Sequence, residues 1–185
     1  MQSAPAFETA RLTFRGHVLA DFADSAALWA DPEVTRHIGK GPSTEEESWT
    51  RFLRYVGHWA LLGFGYWVLH DRESGRFVGE VGFADYHRAL SPPLNGMPEI
   101  GWVLATWAHG RGLATEAVRA VVAWGDARFG DSARTACIIR PDNLASLRVA
   151  VKCGYQRVAE ATYNGRSTLL YVRGDGSLEH GEIRR

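Results

Sequence analysis

Hydrophobic and polar positions alternate and recur along the chain with spacings that change at identifiable points. The amino-terminal alternation over residues 9–15 predicts a first strand. A helix is predicted next, because Asp21 is a suitable capping residue and apolar residues follow it at helical spacing. We expect this helix to run to about Ala30, since Pro32 cannot continue it.

A second amphipathic helix is predicted from a start signal and an apolar face. The pairs Ser43 with Glu46 and Thr44 with Glu47 both have the spacing of a capping box. The predicted helix ends within residues 57–63. Its apolar face is predicted to contain Trp49, Phe52, Leu53 and Val56.

From residue 66 onward, apolar residues recur at every second position, which is typical of strands. Farther along the chain, segments with this spacing alternate with segments that have helical spacing. The order of these elements favours a mixed sheet with helices packed against it. Strands are predicted over residues 66–70, 77–85, 99–104, 135–139, 156–163 and 167–172, and helices over residues 114–129 and 143–153.

The composition is that of an ordinary folded protein. The chain has 185 residues, of which 45% are hydrophobic and 23% charged, and no linker or repeat divides it. We therefore expect a single domain over residues 1–185, with a core over about 8–173 and a carboxy-terminal tail over 174–185. The 21 basic and 21 acidic side chains balance, which argues against a nucleic acid partner.

Cysteine usage and hydropathy indicate the expected compartment. Cys137 and Cys153 show neither metal-ligand spacing nor the pattern of a disulfide scaffold. No apolar run approaches the roughly 18 residues that a membrane span requires. The first twenty residues carry charges that a signal peptide lacks. We expect a cytoplasmic protein with no metal site and no membrane partner.

The most informative segment is HGRGLATEA at residues 109–117, between a predicted strand and a predicted helix. Its glycines permit a tight turn that directs free N–H groups outward at a helix N-terminus, where phosphate binds. On spacing alone, a turn without a ligand remains the alternative. A P-loop is excluded because no Gly-Lys-Ser/Thr follows. A dinucleotide fold is disfavoured, since Thr115 replaces the third glycine and Asp131 precedes the next strand.

Three further blocks accompany this segment. They read ETARL at residues 8–12, EIGW at 99–102 and N-x-x-S-x-x-V-x-x-K-x-G-Y at 143–155. Together with WAHGRGLATEA at 107–117, they resemble the GNAT N-acetyltransferase superfamily, and most closely its RimJ/RimL-like branch. The resemblance implies an α+β GNAT acyl-CoA N-acyltransferase fold, in which a mixed twisted central sheet of about seven strands is flanked by about four helices.

The resemblance also implies a site for acetyl-CoA as co-substrate. Backbone N–H groups of the glycine-rich loop would hold the pyrophosphate, and the preceding strand would pair with the pantetheine arm and direct an N–H at the thioester carbonyl. His109 and Thr106 differ from the family's commoner residues, although neither removes a backbone donor. The implied cofactor-binding residues are Val103, Leu104, His109, Gly110, Arg111, Gly112, Leu113, Ala114, Thr115 and Asn143.

Acetyl transfer to an amine needs a proton acceptor for the amine and a donor for the departing thiolate. The resemblance places Ser146 near the sulfur as donor or orienting group; the alternative is a hydroxyl that bonds the preceding turn of its helix. Glu99 is the candidate base or holder of the substrate ammonium, and its alternative is an ion pair with an arginine. Glu80 is a weaker candidate. Cys137 is predicted to be a buried, inert thiol.

These residues together predict an acetyl-CoA-dependent N-acetyltransferase of the EC 2.3.1 class. It would acetylate a primary amine, on a protein N-terminus or a small molecule, by direct attack in a ternary complex. The alternative is a non-catalytic acyl-CoA-binding module, which the retention of Ser146 and Glu99 disfavours. The acceptor pocket is expected from residues 34–41, 61–66 and 87–97. A monomer and a homodimer both fit the sequence.

Overall fold

A mixed sheet of eight strands runs through the computed structural model, which describes residues 3–94, 96–130 and 133–174. Asp131 and the predicted tail beyond Gly174 lie outside the described residues. The strands are β1 (Phe7–Glu8), β2 (Leu12–Arg15), β3 (Tyr66–Asp71), β4 (Phe77–Ala84), β5 (Glu99–Leu104), β6 (Thr135–Ile139), β7 (Gln156–Tyr163) and β8 (Arg166–Arg173). The α-helices are α1 (Phe22–Ala30), α2 (Pro32–Thr35), α3 (Glu45–Leu62), α4 (Leu113–Phe129) and α5 (Leu144–Lys152).

The strand order is β1-β2-β3-β4-β5-β6-β8-β7, and every neighbouring pair except β5–β6 is antiparallel. The parallel pair β5–β6 has a single register pair, Glu99 with Ala136. A parallel connection requires a crossover, and α4 supplies it. The sheet therefore consists of an amino-terminal half (β1–β5) and a carboxy-terminal half (β6–β8) that meet over a very short contact.

The two faces of the sheet carry different helices. On one face, α4 packs its buried residues Ala117, Val118 and Val121 into the main core cluster, with α5 beside it. On the other face, α1 and α3 contact β4 and β3, and Trp29 of α1 belongs to a smaller cluster that includes Val103 of β5. Hence β5 lies between two packed layers just before the glycine-rich segment.

The structure contains one strand and one helix more than the predicted seven and four. The predicted strand over residues 9–15 is interrupted, because the chain turns where the Thr9 N–H donates to the Leu12 carbonyl at 2.8 Å, so that β1 and β2 form a hairpin. The added helix is α2, a single turn. Asp31 caps it by accepting a hydrogen bond from the Glu33 N–H at 2.8 Å, and Pro32 suits its first position.

The buried face of α3 differs from the predicted one. Thr44 and Glu47 make the capping box, but Leu53 and Val56 are exposed, at 51% and 45%, and so is Trp49. Tyr55 is buried because its ring stacks on Tyr66 of β3, with the ring centroids 4.4 Å apart. The helix is therefore rotated toward an aromatic partner that the spacing of apolar residues did not reveal. The residues of α3 that are buried are Ser48, Phe52, Tyr55, His58 and Trp59.

No α-helix within the described ranges is long and apolar enough to cross a membrane. The same residues include no group of three or more His, Cys, Asp and Glu side chains arranged to hold a metal ion.

Candidate functional site

The glycine-rich segment forms a tight turn at the N-terminus of α4. After β5, the chain makes one 3-10 turn at Thr106–Ala108 and passes through Gly110 and Gly112, with φ angles of 72° and 75°. Glycine suits this left-handed region because it has no Cβ. Gly112 is the N-cap of α4. The N–H groups in the first turn of a helix lack partners within the helix, so this turn can offer them to an anion.

The hairpin turn between β1 and β2 holds this loop in place. Glu116, in the first turn of α4, accepts hydrogen bonds from the Thr9 hydroxyl at 2.7 Å and the Arg11 amide at 2.9 Å. Nε of Arg11 also donates to Glu116 at 2.7 Å, while its Nη1 donates to the Arg111 carbonyl at 2.8 Å. Partial burial raises the pKa of Glu116, but these hydrogen bonds outweigh it and leave the pKa below its ordinary value. The sequence contains no signal for this link, which joins residues more than 100 positions apart.

Two predicted cofactor residues of the loop have distinct surroundings. Nε2 of His109 lies 2.8 Å from the Leu104 carbonyl; a carbonyl can only accept, so this nitrogen carries the proton. The exposed Arg111 guanidinium lies over the Trp107 ring, 5.2 Å from its centroid. Nε1 of Trp107 in turn donates to the Phe77 carbonyl at 3.2 Å. Hydrogen bonds to the backbone therefore hold the His109 and Trp107 side chains in place, and the exposed Arg111 guanidinium lies over the Trp107 ring.

The edge of β5 beside this loop diverges from β6. The Ala136 amide donates to the Pro98 carbonyl at 3.0 Å, and the only register pair beyond it in the described residues is Glu99 with Ala136. Backbone groups of successive strand residues point to opposite edges. Since the Pro98 carbonyl points toward β6, those of Trp102 and Leu104 point the same way. The side of β5 that faces the divergence is therefore formed by even-numbered residues.

The backbone of Val103 faces the opposite edge. A Cβ at Gly79 of β4 would overlap the Val103 carbonyl, and the Ala105 amide donates to the Val78 carbonyl at 2.8 Å. Of the two residues predicted to pair with pantetheine, Leu104 has its N–H on the open side, whereas Val103 is hydrogen-bonded to β4. Trp102, which belongs to the block at residues 99–102, was not among the residues predicted to pair with pantetheine, although its backbone has the same orientation as that of Leu104.

Asn143 and Ser146 lie at the start of α5, the element that follows β6 in the chain. Asn143 is the N-cap, and its Oδ1 accepts a hydrogen bond from the Ser146 amide at 3.1 Å. Its side-chain NH₂ group remains a donor. The half-buried Ser146 hydroxyl makes no hydrogen bond to the preceding turn or to any other described residue. The alternative role for Ser146, a bond to its own helix, is therefore not observed.

Glu99 forms a bidentate ion pair. Arg88 donates to its two carboxylate oxygens from Nε at 2.6 Å and from Nη2 at 2.9 Å, and it donates from Nη1 to the Tyr163 hydroxyl at 2.8 Å. Burial lowers the pKa of Arg88, but the hydrogen bond to Glu99 outweighs it and raises the pKa above its ordinary value. The arginine pair considered as the alternative for Glu99 is thus present. Arg88 and Tyr163 were not singled out from the sequence.

The side chains of Glu80 and Cys137 are fully buried. Glu80 is 0% exposed and accepts hydrogen bonds from Ser25 at 2.6 Å and Trp29 at 2.8 Å. Burial raises the pKa of Glu80, but its hydrogen-bond donors lower it below the ordinary value. Cys137 is 1% exposed, and burial raises the pKa of its thiol. An unexposed carboxylate that already has several donors is a poor proton acceptor for a substrate, and a buried thiol is unreactive.

Three arginines form a row on the face of the sheet that carries α1 and α3. The Arg51 guanidinium lies 3.7 Å from the Trp29 ring centroid, and those of Arg54 and Arg88 lie 4.8 and 4.4 Å from the Tyr86 centroid. We call Arg51, Arg54 and Arg88 the arginine row. Such contacts stabilise a cation over an aromatic face. The sequence reasoning missed the row because its members come from a helix and a distant loop.

Comparison with known proteins identifies the fold. A family model described as acetyltransferase (GNAT) domain matches residues 11–156. The chain is 26% identical over 150 residues to the uncharacterised N-acetyltransferase p20 of Bacillus licheniformis, covering 80% of this chain and 81% of that one. A crystal structure of an acetyltransferase from Agrobacterium tumefaciens is 27% identical, with a TM-score of 0.80 and coverage of 95% and 97%. RimL, a ribosomal L7/L12 alpha-N-protein acetyltransferase solved with coenzyme A, is 18% identical, with a TM-score of 0.72 and coverage of 91% and 97%.

Proposed function

The chain belongs to the GNAT acetyltransferase family, and we propose that it transfers an acetyl group from acetyl-CoA to a primary amine by direct attack in a ternary complex. The likeness to RimL agrees with a RimJ/RimL-like branch. We further propose that residues 8–173 act as one catalytic domain. The amine would belong to a protein N-terminus or a small molecule.

The observation that carries this proposal is the divergence of β5 from β6 directly before a helix N-terminus. An extended pantetheine arm could pair with the edge of β5 through the Trp102 backbone and the Leu104 N–H, as a strand would, while the Leu104 carbonyl stays bonded to His109. The pyrophosphate would then meet the N–H groups between Gly110 and Thr115. A fixed loop of backbone donors binds phosphate without requiring a lysine, and no lysine is present in this segment.

The side chains around this path suggest how the cofactor is held. Arg111 would add a charge-assisted contact to the pyrophosphate, and the NH₂ group of Asn143 would donate to pantetheine. His109 would act indirectly, by fixing the Leu104 carbonyl. Leu113 is buried and Ala114 is half-buried, and the short Ala114 side chain would leave room for the ligand. Val103 would contribute packing rather than backbone hydrogen bonds.

The proposed chemistry requires few groups. The amine nitrogen attacks the thioester carbonyl carbon, and an N–H of β5 stabilises the resulting oxyanion. The C–S bond then breaks, and the sulfur receives a proton through the Ser146 hydroxyl. The amine loses its own proton to water. Because both Glu99 oxygens already accept from Arg88, we propose that Glu99 orients the substrate ammonium rather than removing its proton.

A non-catalytic acyl-CoA-binding module is the second candidate. The Ser146 hydroxyl, which has no hydrogen-bond partner among the described residues, favours the enzyme, since a binding module has no use for a free proton donor at the start of α5. The experiment is to measure thiol release from acetyl-CoA with a panel of amines, alongside calorimetric binding of CoA. Amine-dependent release supports the enzyme. Firm CoA binding without release on any amine would instead support the module.

A further inference from the structure

We propose that the amine acceptor carries an anionic group, a carboxylate or a phosphate, and that the arginine row binds it beside the site of acetyl transfer. This inference rests on the proposed function, because it names the substrate class of the same site.

The row lies over the stretch of β5 that diverges from β6. At one end, Arg51 stacks on Trp29, which donates to Glu80, and Glu80 stands opposite Val103 in the β4–β5 register. At the other end, Arg88 forms an ion pair with Glu99, the first residue of β5. From Glu99 to Val103 a strand extends about 13 Å. The row therefore runs beside the segment on which the thioester is proposed to lie.

The row has an excess of positive charge. Only Arg88 has a carboxylate partner; among the described residues, no carboxylate oxygen lies within 4.0 Å of Arg51 or Arg54. Arg51 donates from Nη2 to the Ser43 hydroxyl at 3.1 Å, while its Nη1 is buried with no hydrogen-bond partner in that part of the chain. Asp85, from the same loop as Arg88, lies against His87 instead, at 3.3 Å.

The tyrosines between the arginines and β5 add no negative charge to that of the buried Glu80 and Glu99 carboxylates. The Tyr66 hydroxyl lies directly over Gly101, where a Cβ would overlap it. Burial raises the pKa of Tyr66 and of Tyr86 above their ordinary values, so both phenols stay neutral in the physiological range. The three guanidinium groups therefore outnumber the two carboxylates beside them, those of Glu80 and Glu99. The resulting positive field attracts an anionic acceptor and repels a polycationic one.

Arginine is suited to this task because its planar fork matches carboxylate and phosphate geometry. A hydrogen bond in which both groups are charged is stronger than one between neutral groups. An acceptor with an anionic group near its amine should therefore have a KM at least about 10-fold lower than that of its neutral counterpart, equivalent to about 1.4 kcal/mol.

The test uses pairs of acceptors that differ in one charged group. Leucine against leucinamide tests an α-carboxylate, the peptide Ser-Glu-Glu-Ala-amide against Ser-Gln-Gln-Ala-amide tests acidic side chains, and phosphoethanolamine against ethanolamine tests a phosphate. We expect the anionic member of at least one pair to have the lower KM, by about 10-fold or more, and this preference to weaken with added salt. The pair with the largest ratio identifies the source of the anion.

Two variants test whether the arginine row causes the preference for anionic acceptors. Arg54→Gln should remove most of the preference by raising KM for the anionic acceptor, with kcat and CoA affinity unchanged. Arg54 is exposed, so the substitution should not prevent folding. The matched control is Arg128→Gln, an exposed arginine on α4 at the opposite face of the sheet, which removes the same charge and should keep the preference.

Three results would overturn the inference. The first is equal or better turnover of neutral or cationic acceptors, which would leave the proposed function intact. The second is an equal loss of preference in both variants. If no acceptor is turned over, calorimetry on the CoA-loaded protein decides, with N-acetyl-leucine against N-acetyl-leucinamide and the acetylated acidic peptide against its glutamine form as probes. Absent or equal binding within both pairs is the third overturning result, whereas tighter anion binding supports the row without turnover.

Discussion

Arg11 and Glu116 join the start of the chain to the first turn of α4, with both Nε and Nη2 of Arg11 lying 2.7 Å from Glu116 Oε2. Through its Nη1, the same arginine also reaches the Arg111 carbonyl. The conformation of the glycine-rich loop therefore depends on a residue that contributes nothing to the loop's sequence. An N-terminal segment that looks like an ordinary edge strand thereby positions the candidate phosphate site.

Replacing Arg11 by Gln should weaken CoA binding several-fold, because the loop would lose the donor that fixes the Arg111 carbonyl. Half of Arg11 is exposed, so the free energy of unfolding should fall by only about 0.5–1 kcal/mol. Calorimetry with CoA and thermal unfolding measure the two effects. Arg157→Gln is the control, because it breaks another exposed arginine pair, with Glu160. Equal CoA affinity in the two variants would show that Arg11 does not position the loop.

The Glu116 interactions should make stability depend on pH in a defined direction. The pKa of Glu116 is lowered in the folded protein, so its contribution to stability is complete above the unfolded value of about 4.3. It is lost as the pH falls through the lower folded value. The Tm difference between the native protein and Glu116→Gln should be constant above about pH 5 and shrink below about pH 4. A difference that grew on acidification would contradict the assignment.

Gly112→Val should abolish detectable CoA binding. The φ angle of 75° is a left-handed conformation, which costs a residue with a Cβ about 1–2 kcal/mol, and a branched side chain would also block approach to the loop's N–H groups. Gly75→Val is the matched control, since Gly75 has a φ of 69° in the β3–β4 turn. It should lose similar stability and keep CoA affinity. Retained affinity in the Gly112 variant would argue against the pyrophosphate assignment.

Ser146→Ala should lower kcat by about 100-fold, the range expected when a proton donor is removed, with little change in CoA affinity. Asn143→Ala should behave differently, because Asn143 caps α5 and its loss should cost about 1 kcal/mol of stability. Single-turnover kinetics, calorimetry and denaturant unfolding separate these effects. Parallel losses of rate and stability in Ser146→Ala would make that residue structural.

Glu99 and Arg88 should behave as a coupled pair. Arg88→Met leaves a nearly buried carboxylate without its partner and should cost about 2–3 kcal/mol in denaturant unfolding. Adding Glu99→Gln should recover part of that loss, giving a double-mutant coupling energy above about 0.5 kcal/mol. Glu99→Gln alone should reduce kcat less than Ser146→Ala does. A larger loss of kcat than that, at unchanged stability, would restore Glu99 as the proton acceptor.

The elements that the sequence predicted best are those whose signal is local. The bounds of β5, β6 and β7 match the prediction, because alternation within a strand identifies it without knowledge of its neighbours. For α3, the prediction that Phe52 is buried is confirmed, but those for Trp49, Leu53 and Val56 are wrong. Tyr55 is buried instead because it stacks on Tyr66, which is a contact between elements. The site follows the same rule. The turn at Gly110 and Gly112 could be predicted from spacing, whereas the Arg11–Glu116 link and the arginine row depend on tertiary contacts.

The short junction between β5 and β6 also affects the order of assembly. Within the amino-terminal half, each strand is hydrogen-bonded to the one that precedes it in the chain, and β7 and β8 form a hairpin in the other half. Contacts between near neighbours in sequence form fastest, because little chain entropy is lost in closing them. We expect the β1–β2, β3–β4 and β7–β8 hairpins to form first and the two halves to dock late, through side chains of α4 rather than a continuous ladder. The last junction to form during folding would then be the one at which we propose that the co-substrate binds.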